Sequence, residues 1–139
     1  MKSISVTIGI PAYNEVQSIR GLLTSIKNQK LDGIRLDIIL ISDGSTDDTL
    51  MVAKSLHIDN FRIIEHHKRH GIAKAQNEIA SEAKSELLLL LNADIRVDDS
   101  RFVQKIVEVW KQTHADLIST QTIPLPPSTF IDRSLSLGM

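Results

Sequence analysis

Three carboxylates in this chain stand where they could do chemistry: Glu15, Asp43 and Asp94. Each closes or opens a short polar segment that follows an apolar run: Pro11-Ala-Tyr-Asn-Glu15, Asp43-Gly-Ser-Thr-Asp47 and Asn92-Ala-Asp94. Carboxylates gathered without a partner repel one another, so a site collecting all three calls for a cation or for ligand hydrogen-bond donors. An all-oxygen donor set suits a hard ion such as Mg²⁺ or Mn²⁺, which substrate phosphates usually complete. Asp43 also suits hydrogen bonds from a base or a sugar. Two of the three have a plainer role as well: Asp94 as the start of a turn, Asp43 as a helix cap. The glycine-rich dinucleotide fingerprint and the phosphate-binding loop with its lysine are both missing, which disfavours a dehydrogenase or a P-loop enzyme.

The elements that must position these segments follow from the pattern of apolar residues. Ser5 to Ile10 is rich in β-branched residues and stops at Pro11, as a strand would. Asn14 with Gln17 has the spacing of a capping box, ahead of a helix carrying Val16, Ile19, Leu22, Leu23 and Ile26 on one face. Ile34 to Ser42 is a second strand. Ser45 with Asp48 repeats the capping-box spacing before a helix from about Thr46 to Leu56 that buries Leu50, Ala53 and Leu56. Phe61 to Ile64 reads as a short strand, Glu65 to Gly71 as a polar loop, and the stretch through Ala83 as a helix. The five leucines Leu87 to Leu91 predict a strand buried on both faces. A helix whose Phe102, Ile106, Val109 and Trp110 share a face follows, and Ala115 to Ile123 is a candidate fifth strand. The alternation of strand and helix gives an α/β fold with a mostly parallel sheet and helices on both faces. In such a sheet the three polar segments open onto one rim and can converge on one ligand.

Bulk composition narrows the function classes. The 139 residues are 42% hydrophobic and 24% charged with a formal net charge of −1, so no global nucleic-acid footprint is present. The absence of cysteine removes disulfides and thiolate metal sites and fits a reducing compartment. His66, His67 and His70 match no standard zinc spacing and read as a solvated basic loop, in which Lys68 and Arg69 either flank a diphosphate or, as the plainer reading has it, are surface charge. A domain over 1–123 followed by a proline-containing tail or linker over 124–139 is expected.

The segments Ile8-Gly-Ile-Pro-Ala-Tyr-Asn-Glu15, Ser42-Asp-Gly-Ser-Thr-Asp47 and Leu91-Asn-Ala-Asp94, in this order, resemble family 2 glycosyltransferases of the GT-A fold, whose nucleotide-binding half is Rossmann-like. Gly71-Ile-Ala-Lys-Ala-Gln-Asn77 is similar to a fourth stretch of that family. The resemblance implies transfer of a sugar from a nucleoside-diphosphate sugar, a UDP-sugar favoured, to an acceptor hydroxyl with Mg²⁺ or Mn²⁺. It implies that Pro11, Ala12 and Tyr13 line the nucleobase, that Glu15 reaches the ribose or base edge, and that Asp43 accepts the uracil imide N–H. Asp94, the last residue of the family's Asp-X-Asp motif, would hold the metal; Lys74, Asn77 and Asn92 would complete the nucleotide-sugar site.

The chain departs from the family pattern in ways that carry expectations of their own. Asn92 replaces the first Asp of the motif and brings no charge, so weaker metal affinity is expected. Gln76 stands where the family has Arg, and Ser42 where it often has a second Asp. No carboxylate after Asp99 matches the family's catalytic base, so the base is expected outside this chain and the chain to be the N-terminal part of a longer protein. The acceptor, a saccharide, lipid or protein, is not readable. The alternative is a truncated module that binds nucleotide or a partner without catalysis. A cytoplasmic setting, membrane association in a longer parent and self-association through an exposed sheet edge complete the expectations.

Overall fold

The computed structural model describes residues 2–124 and 133–136. Four strands form the main sheet: β1 (Ile4–Ala12), β2 (Ile34–Asp43), β3 (Phe61–His66) and β4 (Leu87–Leu90). All pair in parallel, in the order β3-β2-β1-β4. Helices α1 (Ile19–Lys27), α2 (Thr49–Ser55) and α3 (Ile72–Glu82) form the crossovers that parallel pairing demands.

The period-2 alternation of β1 explains why both faces are covered. Val6, Ile8 and Ile10 turn to a large core with Ile19, Leu22, Leu23 and Ile26 of α1 and with Ala53 of α2. That core also takes in α4 (Phe102–Thr113). Gly9 points to the opposite face, where a Cβ would lie 2.3 Å from Cγ2 of Ile79. There α3 packs Ala75 and Ile79 on Ile39 and Ile41 of β2. Glycine at position 9 lets the helix backbone approach this closely.

The leucine run departs from the expectation of a strand buried on both faces. Leu89 is buried, but Leu88 and Leu90 are 37% and 44% exposed. The reason is topological: β4 is the edge of the sheet, and α3 lies over β1 and β2 rather than over it. On α4 the buried residues are Phe102, Val103, Ile106 and Val107, whereas Val109 and Trp110 are half-buried.

A second small sheet, order β5-β7-β6, follows the main one. β5 (Ile95–Arg96) pairs parallel with β7 (Arg133–Ser136), which pairs antiparallel with β6 (Gln121–Pro124). The strand expected from Ala115 to Ile123 thus begins only at Gln121 and joins this second sheet. Residues 125–132 and 137–139 of the expected tail lie outside the described residues. Among the described residues no helix is long and apolar enough to cross a membrane.

Candidate functional site

The chain runs outward from β1 to β2 and β3, then returns to place β4 on the other side of β1. The strand order therefore reverses between β1 and β4, and the crevice beyond the carboxyl ends at such a reversal is where open α/β sheets bind ligands. A cavity of about 260 Å³ lies there, lined by Pro11, Ala12, Tyr13, Glu15, Asp43, Arg69, Ile72, Asn92, Ala93 and Asp94. The three polar segments meet in one place. Lys74 and Asn77, both exposed on α3, do not join this lining.

Asp43, only 3% exposed, is held from three directions. Its Oδ1 accepts from Nδ1 of His66 at 2.8 Å and from the backbone N–H of His70 at 2.9 Å. Its Oδ2 accepts the Gly71 N–H at 2.8 Å. Burial pushes the Asp43 carboxyl up, but these hydrogen bonds and the charge of His66 together hold it below the usual range. A carboxylate offers about four lone-pair positions, so with three filled one remains, on Oδ2, for a ligand donor.

His66 comes from a segment expected to be loop. β3 continues through Glu65 to His66, in register with Asp43. Its Nε2 lies 2.7 Å from Oε2 of Glu78 on α3, so the imidazole bridges two carboxylates. The hydrogen bond to Asp43 raises the His66 pKa most; burial opposes it, and Glu78 adds to the rise. The sequence signal was weak, because the partners lie far along the chain and the polar pattern Glu65 to Gly71 hides the strand end.

The loop after β3 is seated on the exit of β2 by Gly44, whose φ is +72°. A Cβ there would lie 2.4 Å from the Arg69 nitrogen and 2.5 Å from the Lys68 carbonyl carbon. This contact carries Arg69 into the site, with its guanidinium 4.0 Å above the centroid of the Tyr13 ring. Of the two readings of Arg69, surface charge or a flank to a diphosphate, the cation–π stack and the cavity lining favour the second by placing it at the site mouth.

The two capping-box patterns serve a different purpose from the one expected. α1 starts only after Ser18, which makes no side-chain cap, and Asn14 has φ +50°. Asn14 Oδ1 instead accepts the N–H groups of Thr46 at 2.8 Å and Asp47 at 3.3 Å, while its own N–H donates to Ser45 Oγ at 3.2 Å. The Glu15 N–H donates to Thr49 Oγ1 at 2.8 Å, and Val16 N–H to Asp47 Oδ2 at 3.3 Å. Asp47 also accepts from the N–H and hydroxyl of Thr49. α2 accordingly begins at Thr49, later than expected, and within it Ala53 is buried while Leu50 is half-buried. These bonds clasp the exits of β1 and β2 together.

The acidic side of the cavity is electrostatically crowded. Burial is the main influence raising the Glu15 pKa; a hydrogen bond from Ser18 opposes it, and the charges of Asp94 and Asp47 add to it. Among the described residues no group of three His, Asp or Glu could hold a metal by itself. Asp94 and the neighbouring amide of Asn92 offer oxygen donors beside repelling carboxylates, a set that suits a hard divalent ion taking its other ligands from phosphate.

The model of glycosyl transferase family 2 matches residues 7–136. The chain is 38% identical over 90 residues to a chondroitin synthase of Pasteurella multocida, covering 64% of this chain and 9% of that one. It is 30% identical over 91 residues to a poly-β-1,6-N-acetyl-D-glucosamine synthase of Staphylococcus epidermidis, covering 65% and 22%. It thus spans a small part of the length of these relatives. Among solved structures, TarS of S. aureus in complex with UDP-GlcNAc superposes with a TM-score of 0.74 at 22% identity, over 94% of this chain and 38% of that one. The mannosyltransferase PcManGT of Pyrobaculum calidifontis, in complex with GDP-Man and Mn²⁺, gives 0.73 at 23% over 94% and 38%. These likenesses show a shared fold.

Proposed function

The chain belongs to glycosyl transferase family 2, and from that premise we propose that the cavity beyond β1 and β4 binds the nucleoside-diphosphate part of a sugar donor, a UDP-sugar by preference. The observation that carries this reading is Asp43: buried, ionised, held by three donors and left with one lone pair at the wall of the cavity. An acceptor-only group reads a base that offers an N–H at that position, as the uracil imide and the guanine edge do and the cytosine N3 does not. Tyr13, preceded by Pro11 and Ala12, offers the base the ring face away from Arg69, whose guanidinium on the other face adds a cation near a polyanion. Glu15 reaches the sugar of the nucleoside.

Asp94, with Asn92 beside it, would hold Mg²⁺ or Mn²⁺, which supplies neutralising charge to the departing diphosphate. Asn92 contributes only an amide oxygen, so the ion is held chiefly when the diphosphate is present. The cavity's carboxylates, Glu15, Asp43 and Asp94, are all engaged by the donor in this reading. Asp116 lines a different cavity, beside α4, and Glu108 is exposed on α4; Asp132 lies outside the described residues. Transfer to an acceptor hydroxyl, which needs a base within hydrogen-bond reach, is accordingly proposed for the whole protein. The donor half-site is proposed for this chain. That division also gives weight to the second reading, a module that binds nucleotide without transferring sugar.

Calorimetric titration with UDP, GDP and CMP, each with and without Mn²⁺, tests the proposal. Metal-dependent binding of UDP above the others, lost in Asp43→Ala and Asp94→Ala, is the expected result. Equal binding of all three, or binding indifferent to both variants, would overturn it.

A further inference from the structure

We infer that His66 is a positioning residue of the nucleotide site: bridged between Asp43 and Glu78, it orients the Asp43 carboxylate and makes nucleotide binding depend on pH. The inference rests on the donor-binding reading of the cavity and names the group that regulates it.

The geometry favours the protonation that this role requires. Both imidazole nitrogens lie within hydrogen-bond distance of carboxylate oxygens, 2.8 Å to Asp43 and 2.7 Å to Glu78. Where both carboxyl groups are ionised they only accept, so each nitrogen donates its own proton and the ring is an imidazolium. Charge-assisted bonds of this kind are about twice as strong as neutral ones and are directional. The His66 ring is nearly buried, with 12% of its side chain exposed, so water cannot readily replace either partner. The Asp43 carboxylate is thereby set at one rotation, with Oδ1 turned to β3 and the loop and Oδ2 free for one more donor.

The ionisable groups facing His66 come from three elements. Asp43 lies at the end of β2, Glu78 on α3, and the His70 ring in the loop, edge-on with centroids 4.9 Å apart. Two are anions and one is a histidine, so the balance favours the charged ring. When the ring loses a proton, one nitrogen presents a lone pair to a carboxylate. Either Asp43 or Glu78 then gives up its donor, and one positive charge is lost beside an anionic ligand. Both consequences weaken the hold on a nucleoside diphosphate.

His66 does not line the cavity and acts only through Asp43. A pH profile separates this role from plain structural support. UDP affinity in the presence of Mg²⁺ is measured by calorimetry from about pH 6 to about pH 8.5, the range in which a histidine titrates, for the unmodified chain, His66→Asn and Glu78→Gln. Asparagine can still donate one hydrogen bond to Asp43 but carries no titrating proton. Thermal melts confirm that each variant is folded. The unmodified chain is expected to lose about ten-fold in affinity as pH rises, the equivalent of weakening one charge-assisted bond. His66→Asn is expected to bind without this decline over the same range. Glu78→Gln, lacking one of the two anions, keeps the slope with its midpoint moved to lower pH. If nucleotide binds but the unmodified chain and His66→Asn show the same profile, the inference is wrong while the donor reading stands. If no nucleotide binds the unmodified chain at any pH, the donor reading fails and takes this inference with it.

Discussion

The side-chain carbonyl of Asn14, just past β1, accepts the backbone N–H of Thr46, just past β2, at 2.8 Å. This bond and its neighbours tie two loops that the sequence separates by a whole helix and strand. Asn14 sits at φ +50°, a conformation that asparagine adopts more readily than most side chains. Asn14→Gly keeps the backbone and removes the clasp, at an expected cost of about 1 kcal/mol. Asn14→Ala loses the clasp and strains the backbone, adding about 1 kcal/mol more. Denaturant unfolding of the two variants checks the order; equal stability of glycine and alanine would mean that the left-handed backbone at Asn14 contributes nothing.

Gly44 governs whether the loop after β3 can reach Asp43. Alanine there would combine a left-handed backbone with contacts to main-chain atoms of Lys68 and Arg69, which cannot step aside as a side chain could. The expected loss is about 2–4 kcal/mol of stability. Where the variant still folds, UDP binding is expected to weaken as well, because the His70 and Gly71 amides move off Asp43. Unimpaired nucleotide binding in folded Gly44→Ala would show that the loop's seat does not shape the site.

On the other face of β1, Gly9 and Ile79 are coupled by lack of space. Gly9→Ala is expected to cost about 1–3 kcal/mol through overpacking. Ile79→Ala alone costs about 2–5 kcal/mol by leaving a cavity. The double variant should lose less than the sum, by about 1 kcal/mol or more, since the new methyl enters the vacated volume. Strict additivity in the double-mutant cycle would contradict the close packing of α3 on β1.

Stability should also follow pH through the Asp43–His66 pair. Asp43 is lowered from 3.8, so its contribution is present above that value and lost as pH falls through its folded pKa. His66 is raised from 6.5, so its contribution is complete below 6.5 and lost as pH rises through its folded pKa. The pair therefore stabilises the fold between these limits, fully from about pH 4 to about pH 6.5. Thermal melts across pH should show His66→Leu losing the most within this window and converging on the unmodified chain on its alkaline side. A loss uniform with pH would mean that the ring acts by packing alone.

Much of this was legible in the sequence, and the parts that were not have a common cause. The β-branched run from Ser5 to Ile10 and the 3.6-residue spacing from Ile19 to Ile26 are local patterns, and both elements are present, although β1 does not stop at Pro11 but stays paired with β2 through Ala12. The convergence of Glu15, Asp43 and Asp94 followed from parallel pairing, which puts strand exits on one rim. Leu88 and Leu90 are exposed where the sequence predicts burial, because composition cannot tell an edge strand from a central one when the covering helix stops short of it. Asn14 and Ser45 matched a local capping pattern, yet their hydrogen bonds run between loops. His66 and Arg69 were hidden in the same way: their partners Asp43, Glu78 and Tyr13 are neighbours only after the sheet forms.

Nuclear magnetic resonance of the isotopically labelled chain would show whether the rim of the sheet is a metal-dependent nucleotide site. UDP with Mg²⁺ is titrated first, and a trace of Mn²⁺ is then added as a relaxation probe. Shift changes are expected only at Pro11 to Glu15, Asp43 and Gly44, His66 to Ile72, and Asn92 to Asp94. Mn²⁺ broadening is expected to centre on Asp94 and to be stronger when UDP is present. Shift changes elsewhere on the surface, or Mn²⁺ broadening away from Asp94 and indifferent to UDP, would contradict it.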